Sequence, residues 1–257
     1  METLKFGIIG DPIAHSLSPA LFKAAYGGRY AYDLIEGADF EASWRRFLGD
    51  GAGYSSEDQP LGDGRAIVDG AVTPGYHGIN VTAPFKVMAC ERADILSPEC
   101  QRIGAANLIV KTSDGTKAYN SDYLGVRALL DPMPRGTAAV IGFGGAGKAA
   151  LAAAEDLGFT TSLFRHNELR GGVRADVILF TLPRPAEGIE KFDCACLIEA
   201  NYKDPSFTGA RLKVLEDSGA YYVSGLQWLL QQAITGYSLF TGEQPDIPSM
   251  IQQINTL

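Results

Sequence analysis

Three glycines with the spacing G-x-G-x-x-G lie between an apolar strand pattern and an Ala-rich helix pattern. Gly142, Gly144 and Gly147 follow the strand pattern of residues 138–141 and lead into the helix pattern of residues 148–157. Glycines let a backbone turn tightly and approach a pyrophosphate, and the free N–H groups at a helix N-terminus bind the anion. The pattern therefore predicts a nucleotide-binding turn, although a glycine-rich turn without a ligand has the same spelling.

A P-loop is the competing nucleotide motif, because residues 142–148 also fit the spelling G-x-x-x-x-G-K. A P-loop requires Ser or Thr after the lysine to hold magnesium. Here that position is Ala149, whose side chain has no oxygen. We therefore expect a dinucleotide at this turn rather than a nucleoside triphosphate.

Two serines near the N-terminus, Ser16 and Ser18, are candidates for binding a carboxylate. Alternate residues of an extended segment point the same way, so the two hydroxyls and the N–H groups of a following helix can converge on one anion. Ser18 precedes Pro19, which is also typical of a helix N-cap. A purely structural role therefore stays open for Ser18.

Polar residues also surround Pro84, at the end of a predicted strand and the start of a predicted helix. Asn80 and Thr82 share one face of the strand at residues 78–82. Lys86 falls in the first turn of the helix, where a cation opposes the helix dipole. Because that position is locally unfavourable, we favour a function for Lys86 over a solvated surface role.

An amide and a carboxylate, Asn107 and Asp122, lie among small residues further along the chain. Both are candidates for binding a polar ligand. Asp122 alone also fits the N-cap of its own predicted helix.

Composition excludes several classes of protein. The 257 residues carry a net charge of -8, which repels nucleic acid and anionic membranes. We find neither a signal-peptide pattern nor an apolar stretch of membrane-spanning length, so we expect a cytoplasmic protein with no nucleic-acid or membrane partner. The four cysteines form no C-x-x-C pair and the three histidines are scattered, so we expect reduced thiols and no metal site.

Hydrophobic periodicity predicts an α/β protein, with a parallel sheet in its second half. Residues 49–64 are predicted to be a surface loop, residues 66–72 are ambiguous between strand and helix, and the crossover at residues 165–175 is too short for a full helix. The predicted strands are residues 4–9, 30–35, 78–82, 108–111, 117–119, 138–141, 160–164, 176–181, 194–198 and 220–223. The predicted helices are residues 19–26, 40–48, one from Pro84, one from Asp122, 148–157, 225–240 and 247–254.

Several motifs, taken in order, resemble the shikimate dehydrogenase family. The match extends over nearly the whole chain. The runs that carry it are Gly10-Asp11-Pro12, His15-Ser16-Leu17-Ser18-Pro19, Asn80-Val81-Thr82-Ala83-Pro84-Phe85-Lys86, Gly104-Ala105-Ala106-Asn107, Asn120-Ser121-Asp122-Tyr123-Leu124-Gly125, Gly142-Phe143-Gly144-Gly145-Ala146-Gly147, Tyr202, and Gly225 to Gln232 with Thr241-Gly242.

The resemblance implies reversible reduction of 3-dehydroshikimate to shikimate with NADPH, in chorismate and aromatic amino acid biosynthesis. It implies a substrate domain at residues 1–121, a Rossmann-like NADP-binding domain at residues 122–224, and C-terminal helices at residues 225–257 that pack on the substrate domain. The protein would be a monomer or a homodimer.

The resemblance also assigns roles to individual residues. Lys86 and Asp122 would form the catalytic pair. The residues implied to bind substrate are Ser16, Ser18, Asn80, Thr82, Asn107, Tyr202 and Gln232. Those implied to bind the cofactor are Gly142, Gly144, Gly145, Ala146, Gly147, Arg165 and Gly225.

The chain departs from the family pattern in its second half. The family's Asn-Arg-Thr run is Phe164-Arg165-His166 here, with its second basic residue displaced to Arg170. Its Asn-x-Thr-Pro run is Phe180-Thr181-Leu182-Pro183, its aspartate before the Tyr202 run is Glu199, and its tryptophan before Thr-Gly is Phe240.

The end of the second cofactor strand indicates NADP rather than NAD. A fold that prefers NAD places Asp or Glu there to accept from the ribose 2′-OH. Here Arg165 follows the strand and Glu168 comes only after it. A guanidinium suits a 2′-phosphate, although a solvated surface role for Arg165 stays open.

Two alternatives to the implied function stay open. One is a quinate/shikimate dehydrogenase of broader substrate use or a relative that acts on an amino analogue. The other is a non-catalytic relative that binds the ligand without turnover.

Overall fold

The computed structural model describes residues 4–49, 65–68, 71–183 and 188–256. The predicted surface loop therefore lies outside the described residues, apart from Gly49. Of the ambiguous stretch at residues 66–72, the described residues 66–68 and 71–72 lie in an antiparallel strand pair rather than a helix.

The chain divides into two compact units. The first comprises Met1–Ser121 with Gly236–Leu257, and the second comprises Asp122–Thr235. The second division falls inside a helix that begins at Gly225.

The elements up to residue 120 alternate between strand and helix. In chain order they are β1 Lys5–Gly10, α1 Ser18–Tyr26, β2 Ala31–Glu36, α2 Phe40–Leu48, β3 Arg65–Val68, β4 Ala71–Pro74, β5 Gly78–Val81, α3 Lys86–Arg92, β6 Ile95–Leu96, α4 Pro98–Ile103, β7 Leu108–Thr112 and β8 Gly115–Tyr119.

The remaining elements form the second unit and then return to the first. They are α5 Ser121–Leu130, β9 Thr137–Ile141, α6 Gly145–Asp156, β10 Thr160–Phe164, β11 Val173–Arg174, β12 Val177–Phe180, β13 Phe192–Asp193, β14 Cys196–Glu199, α7 Gly209–Asp217, β15 Tyr221–Val223, α8 Gly225–Thr241 and α9 Ile247–Ile254, with 3₁₀ segments at His166–Gly171 and Ile189–Lys191.

The first unit contains a mixed sheet in the order β2-β1-β5-β7-β8-β6. Its strand β1 pairs in parallel with β2 and β5, whereas β5, β7 and β8 are antiparallel neighbours. The predicted strands at residues 108–111 and 117–119 are confirmed, and they form the β7-β8 hairpin. Strand β6 and helix α4 were not predicted, because two and six residues are too short to establish a hydrophobic period.

Helix α2 shows why the predicted bounds at residues 40–48 are confirmed. The Asp39 carboxylate accepts from the Ala42 N–H at 3.2 Å, which caps the first turn. Gly49 ends the helix with φ of 100°. The helix buries Trp44 and Phe47 on one face, within the core that β1 and β5 share.

The second unit contains a parallel sheet in the order β10-β9-β12-β14-β15. This arrangement confirms the predicted α/β class with a Rossmann-like sheet. Residues 138–141 of β9 are fully buried, as expected for a strand covered on both faces. The predicted short crossover is also confirmed, because a 3₁₀ segment and β11 stand where a full helix would be.

Candidate active site

The glycine turn after β9 brings strand and helix into close contact. Gly142 has φ of 97°, a conformation that residues with a side chain rarely adopt. A Cβ on Gly147, in the first turn of α6, would collide with the carbonyl oxygen of Gly142. Two of the three glycines in the fingerprint are therefore explained by the packing of the protein itself.

The middle of the same turn is open. A Cβ on either Gly144 or Gly145 would meet no atom within 4 Å. This space lies at the N-terminus of α6, where the first N–H groups have no partner within the helix. An anion such as a pyrophosphate fits there, because it would complete these hydrogen bonds and interact favourably with the helix dipole.

The carboxylate nearest to the end of β10 is bound within its own turn. The Arg165 N–H donates to Glu168 Oε2 at 2.6 Å, and the Glu168 N–H donates to the Arg165 carbonyl at 3.0 Å. The guanidinium of Arg165 is exposed. Glu168 follows Arg165 by three residues in the sequence, but its carboxylate is directed back to the backbone N–H of Arg165.

At the start of α1, the side chain that accepts a backbone N–H belongs to Ser16, whereas the sequence suggests Ser18. Ser16 Oγ accepts from the Ser18 N–H at 3.3 Å, whereas Ser18 is the first residue of α1 and makes no cap. The suggested N-cap role of Ser18 is therefore wrong. Helix α1 begins one residue earlier than the N-cap pattern before Pro19 implies, so Ser16 supplies the acceptor.

Asn80 and Thr82 follow the predicted alternation of the strand. Both are half-buried, whereas the alternating residues Ile79 and Val81 are buried. The side chain of Asn80 donates from Nδ2 to the Asn107 carbonyl at 3.3 Å. Its Oδ1 accepts from the Tyr32 hydroxyl at 2.7 Å.

Backbone and amide hydrogen bonds connect Asn107 to the segments that carry Lys86 and Asp122. The N–H of Ala106 donates to the Lys86 carbonyl at 2.8 Å. The side chain of Asn107 is buried, and its Oδ1 accepts from Ser121 N at 2.6 Å and from Ser121 Oγ at 3.1 Å. Asp122 is the next residue of α5, and Lys86 and Asp122 are both half-buried.

Gln232 lies on α8 in the second unit, packed against α5. A Cβ on Gly125 would lie 2.7 Å from the Gln232 backbone nitrogen, so these helices meet closely. Gln232 Oε1 is buried, and no group in the described part of the chain donates a hydrogen bond to it. A buried acceptor without a partner is costly, so this amide suits a ligand hydroxyl.

Tyr202 and Gly225 meet at the start of α8. A Cβ on Gly225 would lie 2.6 Å from the Tyr202 nitrogen, so this glycine is explained by packing and its predicted cofactor role stays a prediction. Burial, and secondarily the charge of Asp122, raises the pKa of the Tyr202 hydroxyl. Tyr202 is therefore a neutral hydrogen-bond donor at pH 7.

A buried carboxylate holds the loop that carries Tyr202. Glu199 accepts from Ser206 N at 2.5 Å and from the Tyr222 hydroxyl at 2.6 Å. Burial, and then the hydrogen bond to Glu199, raises the pKa of Tyr222. Sequence reasoning noted Glu199 only as a departure from the family pattern, because its partners come from a loop and from β15.

The described residues contain no group of three or more His, Cys, Asp or Glu side chains placed to hold a metal ion. Within the same residues, no helix has both the length and the apolar character needed to cross a membrane.

Comparison with known proteins identifies the family. Residues 8–109 match the model of the shikimate dehydrogenase substrate binding domain. The chain is 30% identical to the shikimate dehydrogenase (NADP(+)) of Haloarcula marismortui, over 95% of this chain and 96% of that protein. The chain belongs to the shikimate dehydrogenase family.

Solved structures of the family have the same fold. The shikimate 5-dehydrogenase of Thermus thermophilus, solved in complex with NADP(H) and shikimate, has a TM-score of 0.77 and 24% identity over 99% of both chains. The quinate dehydrogenase of Corynebacterium glutamicum, solved in complex with NAD, has a TM-score of 0.75 and 18% identity over 99% of both chains. Since these identities are low, the two structures establish the fold alone.

The packing of the glycine turn predicts unequal effects of two alanine substitutions. We expect Gly147→Ala to destabilise the protein by about 1–3 kcal/mol, because the new Cβ meets a backbone oxygen that moves only with β9. Gly145→Ala is the control, because its Cβ meets open space. Thermal unfolding measures both, and equal melting temperatures would contradict the close contact.

The α1 geometry predicts that Ser16→Ala lowers the melting temperature more than Ser18→Ala. The first substitution removes the acceptor for a helix N–H, a loss of about 0.5–2 kcal/mol. The second leaves that bond intact. A larger loss in Ser18→Ala, measured by thermal or denaturant unfolding, would restore the N-cap role to Ser18.

Proposed function

We propose that this protein catalyses the reversible, NADPH-dependent reduction of 3-dehydroshikimate to shikimate, a step in chorismate and aromatic amino acid biosynthesis. The observation that carries the proposal is the hydrogen-bonded arrangement around Asn107, which joins Asn80 and the backbone of Lys86 to Ser121. Asp122 follows directly in the chain. The chain belongs to the shikimate dehydrogenase family, which supports the same assignment.

Lys86 is the proposed acid. The cofactor, when bound, supplies the hydride that reduces a ketone. A ketone that accepts hydride develops alkoxide charge on its oxygen, and the Lys86 ammonium stabilises that charge and gives its proton to the oxygen. Asp122 orients the ammonium and accepts a hydrogen bond from a neighbouring substrate hydroxyl.

The remaining polar residues are proposed to bind the substrate. Ser16 and Ser18 hold the carboxylate, with a hydrogen bond from Tyr202. The ring hydroxyls are bound by Asn80, Thr82, Asn107 and Gln232. The buried, unpartnered Gln232 Oε1 supports this assignment, because a substrate hydroxyl would supply the missing donor.

The second unit is proposed to hold NADP(H). The open space at Gly144 and Gly145 fits the pyrophosphate at the N-terminus of α6, with Gly142, Ala146 and Gly147 completing the turn. Arg165 is proposed to bind the 2′-phosphate, because it is exposed directly after β10. Glu168 Oε2 accepts from the Arg165 N–H, so the carboxylate of Glu168 is directed at the backbone of its own turn.

We also propose a cytoplasmic enzyme that is a monomer or a homodimer. The four cysteines are free, and burial raises the pKa of Cys100 and Cys194 to about 12, as suits unreactive thiols in a reducing compartment. Analytical ultracentrifugation would distinguish the two oligomeric states.

Absorbance at 340 nm tests the reaction. Shikimate and NADP⁺ should produce a rise in absorbance, and quinate or NAD⁺ in their place should produce a slower one. Equal rates with quinate would favour a quinate/shikimate dehydrogenase. Binding of shikimate without any absorbance change would favour a non-catalytic relative.

Removing the proposed acid should slow turnover. We expect Lys86→Ala to lower kcat by about 10² to 10⁴ with a smaller effect on KM, since a positioned proton donor acts in the transition state. Asp122→Asn should lower kcat in the same direction. Lys213→Ala, an exposed lysine of α7, is the control. A change confined to KM in Lys86→Ala would reduce its role to binding a hydroxyl.

Arg165→Ala tests the proposed cofactor preference. We expect kcat/KM for NADP⁺ to fall roughly tenfold or more, because a phosphate loses a charge-assisted partner, while kcat/KM for NAD⁺ stays nearly constant. Arg174→Ala is the matched control, because that exposed arginine pairs with Asp193. An unchanged ratio between the two cofactors would refute the role of Arg165 and leave the substrate assignment standing.

A further inference from the structure

A tyrosine that its sequence position does not single out contacts one of the proposed substrate-binding residues. The hydroxyl of Tyr32 donates to Asn80 Oδ1 at 2.7 Å. Burial raises the pKa of this hydroxyl well above its usual value, so it keeps its proton. The phenol is therefore a fixed hydrogen-bond donor to an amide that is proposed to bind a ring hydroxyl.

Strand register explains how Tyr32 reaches Asn80. In the parallel part of the first unit's sheet, Tyr32 of β2 pairs with Phe6 of β1, and Asn80 of β5 pairs with Ile8 of β1. Paired residues in a sheet point to the same face, and Phe6 and Ile8 are two apart on one strand. Tyr32 and Asn80 therefore share a face on opposite sides of β1, and the long phenol spans that strand.

The donors and acceptors of this cluster are directional. A phenol has a single proton, and here that proton goes to Asn80 Oδ1. Asn80 Nδ2 donates to the Asn107 carbonyl at 3.3 Å. A flipped amide would face that carbonyl with its own oxygen, so the two bonds fix the orientation of Asn80. The second N–H of Nδ2 remains for a ligand.

Aromatic packing holds Tyr32 in place. Its ring centroid lies 4.9 Å from that of Phe22, which is also 4.9 Å from Tyr237. The hydroxyl of Tyr237 donates to the Ser18 carbonyl at 3.0 Å. The start of α1 and the Tyr32 ring are therefore fixed by the same cluster.

We propose that Tyr32 is a positioning residue that sets the Asn80 amide as a hydrogen-bond donor toward a substrate hydroxyl. The inference rests on the proposed function, and the ligand it specifies is a cyclic carboxylate with a ring hydroxyl that accepts from Asn80.

Removal of the hydroxyl should weaken binding rather than chemistry. In Tyr32→Phe, Asn80 Oδ1 loses its donor and the amide is free to turn. We expect KM and the dissociation constant for shikimate to rise about three- to tenfold, with kcat within about twofold of wild type. Calorimetric titration of shikimate without cofactor gives the dissociation constant independently of turnover.

Tyr26→Phe is the matched control. Tyr26 packs on the same Phe22 ring at 5.0 Å, and its hydroxyl is bonded to Thr241 and to the Glu243 carbonyl, away from the proposed site. We expect its shikimate constants to equal those of wild type. Melting temperatures of both variants show whether the cluster remains folded.

A double-mutant cycle distinguishes positioning from a general structural role. In an Asn80→Ala background, Tyr32→Phe should leave the dissociation constant within about twofold, because the amide on which it acts is gone. An equal loss in both backgrounds, or the same loss in Tyr26→Phe, would overturn the inference while an active wild type keeps the proposed function. Wild-type protein that neither binds shikimate nor turns it over would overturn both.

Discussion

The buried amide of Asn107 connects the elements that carry the candidate site of the first unit. Its backbone carbonyl accepts from the Val81 N–H at 2.9 Å and from Asn80 Nδ2, and its side-chain oxygen accepts from Ser121. A buried polar group without partners costs free energy, so strand β5, the start of β7 and the start of α5 are constrained together. The same bonds leave Asn107 Nδ2 for a ligand and place Asp122 next to a fixed residue.

In the second unit, a buried carboxylate likewise connects neighbouring elements through hydrogen bonds. Glu199 lies at the end of β14, and its donors are a backbone N–H after the Tyr202 turn and a hydroxyl from β15. Next to it, Phe180 is fully buried and packs against Phe207, with the ring centroids 5.3 Å apart. The departures from the family pattern at Phe180 and Glu199 are therefore part of one core, and the substitution of an amide by an aromatic ring is accommodated by apolar contacts.

The glycines of the turn after β9 fall into two groups: those at which a side chain would clash and those that border open space. Gly142 has a positive φ and faces Thr181, and a Cβ on Gly147 would collide with the Gly142 carbonyl, whereas Gly144 and Gly145 border open space. A dinucleotide fold needs both properties, since the turn must be tight and the backbone must remain accessible to a phosphate. The interaction that we propose to determine cofactor choice lies elsewhere, at the exposed Arg165, where the turn after β10 binds the carboxylate of Glu168 to its own backbone.

The sequence by itself determined the α/β class, most element bounds and the residue types of the site, because periodicity, caps and glycine spacing act over a few residues. It did not determine which serine completes the first turn of α1, nor the partners of Glu199. It also gave no reason to single out Tyr32, whose partner Asn80 lies two strands away. These features depend on strand order and register, which bring residues distant in the chain within hydrogen-bonding distance, and only the tertiary structure decides them.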